Sequence, residues 1–429
     1  MRSKAEIFDQ VQRLFDVNGF NDHQLHCVFR FDPGSAPDAA NLRKALIATI
    51  EAIPILGTRY VDGAEPYWES LDRSDLASAF VIAETATQFE TFLVQRSDEE
   101  RGPQVRVCLL DASPAAIAIT LNHMICDAAA FKLYTYFLCK VYSQLAVNPA
   151  YTPRSVDGDR GLRGVVRRFA FDAKVKSLFQ QGRDNNQTGD RRFPMDEGQA
   201  DAPFIATRRL TRERTSAVKA YARLCGATLN DMALAAFYRS LFRELNMRLG
   251  DRLAIPIMVD MRRYLKNGDA FTSLTNLTSM VASELDCRPD EAFVDTLRRV
   301  KAGMDAKKDR DIGLNAFIKL DLLFGVFGDR IATRILRTRL KDPLICMTNI
   351  GVLDEARLSF GGLQAGDVFM CGSIKYRPYF QLAVSTYRDE MTFSINLYGG
   401  AGDRQRVDAF LQNVETQLLA ENRSAACTS

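Results

Sequence analysis

Residues 121–128 read LNHMICDA and set a histidine, His123, four residues before an aspartate, Asp127. The 429-residue chain has only three histidines, so one at a junction between elements stands out. A neutral imidazole can take a proton from a hydroxyl or amine, and a nearby carboxylate can fix the turn that aims it. Upstream, residues 115–121 (AAIAITL) form a short apolar run behind the turn signal at 111–114, the pattern of a buried strand. Downstream, Phe131, Tyr134, Leu138, Val141 and Leu145 recur at steps of three and four, the stripe of an amphipathic helix. The spacing therefore predicts His123 in a strand-to-helix turn, where side chains can face a cleft.

Plainer roles fit the same residues. Asp127, just ahead of the helix, has the place and chemistry of an N-cap. An isolated histidine at a strand end is more often structural than catalytic. His23 and His26 lie far upstream and no zinc-ligand spacing is present, so no metal is expected. Cys126 touches the motif, but a buried thiol most often packs as a small hydrophobe.

Several segments carry a resemblance to a known family. Residues 122–128 resemble the HHxxxDG motif of the acyltransferase superfamily that includes chloramphenicol acetyltransferase and the condensation domains of nonribosomal peptide synthesis, with Asn122 at the first His and Ala128 at the Gly. In the expected order, residues 42–60 (LRKALIATIEAIPILGTRY), 102–110 (GPQVRVCLL), 259–265 (VDMRRYL), Asn276-Leu277 and 347–354 (MTNIGVLD) resemble further family segments. Together they span most of the chain.

The resemblance implies an α+β fold of two chloramphenicol-acetyltransferase-like lobes with the active-site tunnel between them. It implies transfer of an acyl group from acyl-CoA or a phosphopantetheinyl thioester, on CoA or a carrier protein, to a small-molecule hydroxyl or amine, without a bound cofactor. His123 takes the place of the family's catalytic base, and Asp127 that of an aspartate that points away and pairs with an arginine. Arg59 matches that arginine best and Arg262 is its rival. Asn122, Asn276, Thr278 and Ser279 are candidates for contacts to substrate or oxyanion, or simply polar strand residues. Arg262, Arg263 and Lys266 are either a phosphate-binding cluster or a solvated turn. The other reading is a catalytically silent relative serving as a docking module, which Asn122 and Ala128 keep open.

Such a site can be sparse. A thiol leaves with a pKa of about 8.5 and needs little acid assistance, so the demanding step is making the acceptor nucleophilic. A positioned base contributes about 10²–10⁴-fold to that step.

Composition sets the frame. The length calls for two domains, and the polar, aperiodic stretch at 180–190 (QQGRDNNQTGD) places a linker between residues 172 and 202, with lobes 1–185 and 186–429. Each half mixes strands with helices. Hydrophobic residues at 47% and charged ones at 25% are those of a globular protein. A net charge of +3 implies no nucleic-acid partner. There is no apolar run of about 18 residues for a membrane span and no apolar signal core in MRSKAEIFDQ. Nine cysteines without paired spacing point to reduced thiols and a cytoplasmic setting, and a monomer is expected.

Overall fold

The computed structural model describes residues 2–172, 174–175, 190–198, 200, 202–265, 271–308 and 313–420. The expected linker at 180–190 lies, apart from Asp190, outside the described residues, as does Lys266.

Two sheets, of five and six strands, position the site. In chain order their strands are β1 (Gln24–Arg30), β2 (Phe80–Ala83), β3 (Val105–Leu110), β4 (Ala116–Asn122), β5 (Ala202–Arg209), β6 (Arg252–Asp260), β7 (Thr278–Asp286), β8 (Ile345–Leu353), β9 (Asp367–Cys371), β10 (Phe380–Tyr387) and β11 (Glu390–Gly399). The first sheet runs β9-β1-β4-β3-β2 and the second β7-β6-β8-β10-β11-β5.

Alternation along β1 and β4 sorts their side chains between two layers. Leu25, Cys27 and Phe29, with Ile117, Ile119 and Leu121 on β4, enter one core against the helices α1 (Ala39–Ala52) and α2 (Ala128–Val147). The stripe expected on α2 is buried at all five positions. Burying each such side chain is worth about 1.5–3 kcal/mol. The second sheet forms its own core against α3 (Leu229–Glu244) and α4 (Ala401–Leu419), through Phe237, Phe393 and Phe410 among others. After residue 202, β5 is followed by two helices, Arg212–Leu224 and α3, with Thr211 and Thr228 as their N-caps.

These two sheets with their helices are the two lobes. The first lobe is not built from the first half of the chain alone. β9, from far along the sequence, hydrogen-bonds antiparallel to β1, with Cys371 opposite His26. Leu353, Phe360, Val368 and Tyr387 complete the first core. A division at residue 185 therefore separates the sequence but not the first sheet. Beyond β9, Lys375 bridges both Asn21 and Leu397, tying the start of β1 to β11.

Candidate active site

β4 ends at Asn122 and α2 begins at Ala128, so His123 lies in a strand-to-helix turn. The turn is held by backbone groups rather than by the imidazole. The His123 N–H donates to the His23 carbonyl at 2.6 Å. The Asn122 side-chain oxygen accepts from the Met124 N–H at 2.8 Å. From the other half of the chain, Asn276 Nδ2 donates to the carbonyls of His123 (2.7 Å) and Met124 (2.9 Å). The His123 ring is half-buried, and its Nδ1 is enclosed without a hydrogen-bond partner among the described residues. Burial pulls the imidazole below the ordinary histidine range, and the nearby Lys375 charge adds to this. The backbone of His123 and Cys126, and the Asp127 charge, oppose it. Desolvation prevails, so the ring is neutral at neutral pH, the form a base requires.

Asp127 is almost completely enclosed and fully partnered. One carboxylate oxygen accepts from the Ala130 N–H at 2.9 Å, the N-cap expected from the sequence. The other accepts from Arg262 Nη1 (2.8 Å), the Leu277 N–H (2.7 Å) and Thr278 Oγ1 (3.1 Å). Burial, the largest single influence, opposes ionisation of this carboxyl, yet the Arg262 charge and the hydrogen bonds from Arg262, Ala130 and Leu277 together outweigh it and hold Asp127 below the usual carboxylate range. Arg262 also reaches Asp260 (3.0 Å) and the Thr275 carbonyl (2.7 Å). One carboxylate thus joins the first-lobe turn to three residues in two segments of the second half.

Arg59 is not the partner of Asp127. It stands on the short strand Thr58–Val61, half-exposed, and pairs with Glu69 at 2.6 Å. The arginine of this ion pair is Arg262. Alternation explains the difference: Thr58 and Tyr60 turn into the protein while Arg59 faces out.

Three candidate substrate contacts have their donors taken by the protein. Asn276 holds the turn carbonyls and lies just before β7 rather than on it. Thr278 serves Asp127, and Ser279 Oγ donates to the Gly313 carbonyl at 2.9 Å. None of them offers an oxyanion donor in this arrangement. Asn122 does keep an open function, since its buried Nδ2 has no partner among the described residues. Of the basic residues read as either a phosphate cluster or a solvated turn, Arg262 is taken by the ion pair and Arg263 lies beside the Tyr264 ring. Cys126 is buried, its thiol pushed up by desolvation, far from a thiolate at neutral pH.

Sequence distance concealed other contributors. His23, in a left-handed backbone conformation (φ 43°), gives its carbonyl to His123 and its Nε2 to Glu99 at 3.3 Å. Asp16 joins these two within 4.8 Å, ligand-like spacing, but Arg96 and Arg13 already neutralise the carboxylates. Arg160 clamps Asp9 and the carbonyls of Leu274 and Ile125. Asp22, fully buried beside His23, is raised by desolvation to about 7, against the N–H groups of Gln24 and Ile374. No short motif marks any of these residues.

A turn that presents a histidine, latched by a buried Asp–Arg pair, thus lies between two α+β lobes. The chain has the fold of the condensation-domain and chloramphenicol-acetyltransferase-like acyltransferase superfamily, as its motifs suggested. Its residues 201–392 match the family described as phthiocerol/phthiodiolone dimycocerosyl transferase C-terminus. It is similar over 97% of its length to polyketide synthase associated protein 5 from Mycobacterium tuberculosis (TM-score 0.67, 16% identity, 99% of that chain). The trichothecene 15-O-acetyltransferase from Fusarium sporotrichioides matches with a TM-score of 0.70 and 13% identity, over 97% of this chain and 94% of that one. The first condensation domain of the calcium-dependent antibiotic synthetase matches with a TM-score of 0.70 and 15% identity, over 97% and 96%. No curated protein matches the chain by sequence.

Proposed function

We propose that this chain transfers an acyl group from a thioester, on CoA or a carrier protein, to the hydroxyl or amine of a small molecule, with His123 as general base. One observation carries the reading. The neutral imidazole of His123 sits on a turn fixed at its N–H, at its carbonyl and at Asp127, by residues from both halves of the chain. A base held this way loses little freedom when a substrate binds. The acceptor attacks the thioester carbonyl as His123 removes its proton, and the thiol leaves with that proton. Secondary-metabolite synthesis in the cytoplasm, by a monomer, is the setting that goes with this chemistry. No helix among the described residues is long and apolar enough to cross a membrane.

A cleft of about 630 Å³ supports a phosphate-bearing donor. Tyr136, Phe137, Lys140, Arg154, Phe271 and Arg357 line it, and among the described residues no acidic side chain does. Arg357 lies over the Tyr136 ring at 4.1 Å. At 1.5 Å rise per residue, Lys140 stands about 18 Å along α2 from the catalytic turn. That is the reach of a pantetheine arm, about 15–20 Å by ordinary chain dimensions.

Direct attack leaves no acyl-enzyme. Incubation with acetyl-CoA alone should leave the protein mass unchanged, and Cys126→Ala should remain active. A stable acyl adduct on Cys126 with ping-pong kinetics would replace the general-base scheme by a nucleophilic one. A screen of acyl-CoAs for acceptor-dependent thiol release tests the reaction itself.

The histidine also sets a pH dependence. Since burial lowers its pKa, the active neutral form persists below the ordinary value of 6.5. kcat/KM should stay level through neutral pH and fall in acid, with a midpoint below 6.5. A midpoint above that value would assign the acid limb to another group.

A further inference from the structure

The helix Leu314–Arg339 gives one side to the protein's own interior. Leu314, Phe317, Ile318, Phe324 and Ala332 are buried there, in clusters that include Phe8, Val11 and Leu277. The other side also carries large apolar residues. Leu322, Val326, Phe327 and Ile331 are each about half exposed or more, four of the eleven large hydrophobics that stand in solvent among the described residues. Large apolar side chains gathered on one exposed face, where the core does not call for them, mark a surface that meets something else.

The backbone sets two of them forward. Gly328 takes φ 68° and ψ 170°, a conformation that suits glycine, and the helix is interrupted there. Residues 325–328 (GVFG) are all exposed. At 3.6 residues per turn, a straight helix lying on a protein turns at least one of four consecutive residues inward. At this corner the chain therefore leaves the surface and carries Val326 and Phe327 outward. A Cβ at Gly325 would meet nothing within 4 Å, so no neighbour crowds the corner.

The free charge around it has one sign. Lys319, Arg330, Arg334, Arg337 and Arg339 are exposed, and none has an acidic partner among the described residues. The helix's two acids are both ion-paired, Asp321 with Arg163 at 3.0 Å and Asp329 with Lys4 at 2.7 Å. Beside the apolar row, Arg167 and Lys174 share a cleft of about 400 Å³ with Leu322 and Val326.

We infer that this corner seats the protein on an anionic lipid surface, with Val326 and Phe327 entering the boundary below the headgroups and the cations beside them at headgroup level. This is the chemistry of a helix that lies in the interface rather than crossing it, and each cation adds to the attraction. Charge and shape select the occupant. A second copy placed face to face across a two-fold axis would set cation against cation. An acidic protein would satisfy the cations, but a projecting apolar pair needs a surface that yields, as a bilayer does and a folded protein does only where it has a matching pocket. The inference is independent of the acyl-transfer reading.

The test uses the full chain with vesicles of phosphatidylcholine, alone or with about 30% phosphatidylglycerol. Wild type should co-sediment with the anionic vesicles and not with the neutral ones, and about 1 M salt, where the Debye length is about 3 Å, should release it. Phe327→Ser should weaken binding by about tenfold or more and Arg334→Gln by about fivefold. Both should keep the wild-type melting temperature, since both side chains lie at the surface. Trp68, the chain's one tryptophan, is fully buried, so in Phe327→Trp the emission quenched by vesicles with brominated acyl chains comes from the corner. Absence of binding to anionic vesicles, equal binding by the variants, or binding without quenching would overturn the proposal. Without vesicle binding, a dimer lost in Phe327→Ser would give the face to a second copy, and capture of an acyl carrier protein lost in Arg334→Gln would give it to an acidic protein.

Discussion

Replacing His123 by alanine is expected to lower acyl transfer by about 10²–10⁴-fold while the melting temperature stays close to that of wild type. The separation of the two effects follows from how the turn is built. Its bonds use the His123 N–H and carbonyl, which alanine keeps, and the enclosed Nδ1 has no partner to lose among the described residues. Thiol release from an acyl-CoA with an accepted co-substrate, compared with a thermal melt, reads both. Near-wild-type transfer would remove the base from the scheme. Absence of transfer in wild type and variant alike, with ligands still bound, would favour the docking-module reading.

The second large effect is on folding. Arg262→Met strands the Asp127 carboxylate in the interior with three hydrogen-bond donors and no cation. Breaking a buried pair by removing one member costs about 3–5 kcal/mol. Asp127→Ala should cost a similar amount, because the cap on α2 goes with the pair, although Arg262 keeps Asp260 and the Thr275 carbonyl. The double variant should lose less than the two single losses combined, as contacting residues do. Because Arg262 depresses the Asp127 pKa, the contribution is present above the ordinary value of 3.8 and is lost as pH falls through the folded value. Arg59→Ala, by contrast, should leave the melt almost unchanged, since its Glu69 partner lies at the surface. Chemical denaturation of the four variants at pH 7 decides it. A stable Arg262→Met protein would mean that the pair does not hold the lobes.

What could be read from the sequence was local. The turn around His123, the cap at Asp127 and the stripe on α2 are set by residues a few positions apart, so periodicity and side-chain chemistry expose them. The choice of Arg262 over Arg59 was not, because both arginines are distant in sequence and only the strand's in–out register and the path of the second half decide which approaches Asp127. Asn276 read as a substrate contact because its type is polar. Its work on two turn carbonyls depends on a contact across the lobes that no window of sequence contains. His23 was set aside for its distance along the chain, which β1–β4 pairing cancels by laying Gln24 opposite Asn122.

The strand order of the first sheet bears on the birth of the protein as well as its chemistry. On the ribosome, β1 emerges long before β9, and at about 5–20 residues per second the interval is tens of seconds. Throughout it, the nascent sheet carries an open edge along Leu25, Cys27, Val28 and Phe29, a row of unpaired amides flanked by apolar, β-prone side chains. Until β9 arrives, such an edge invites pairing with neighbouring chains. The lobe that bears His123 therefore cannot mature until most of the second half has been made. Its closure depends on long-range pairing, the slow kind, and selection on its early strands is also selection for surviving the wait.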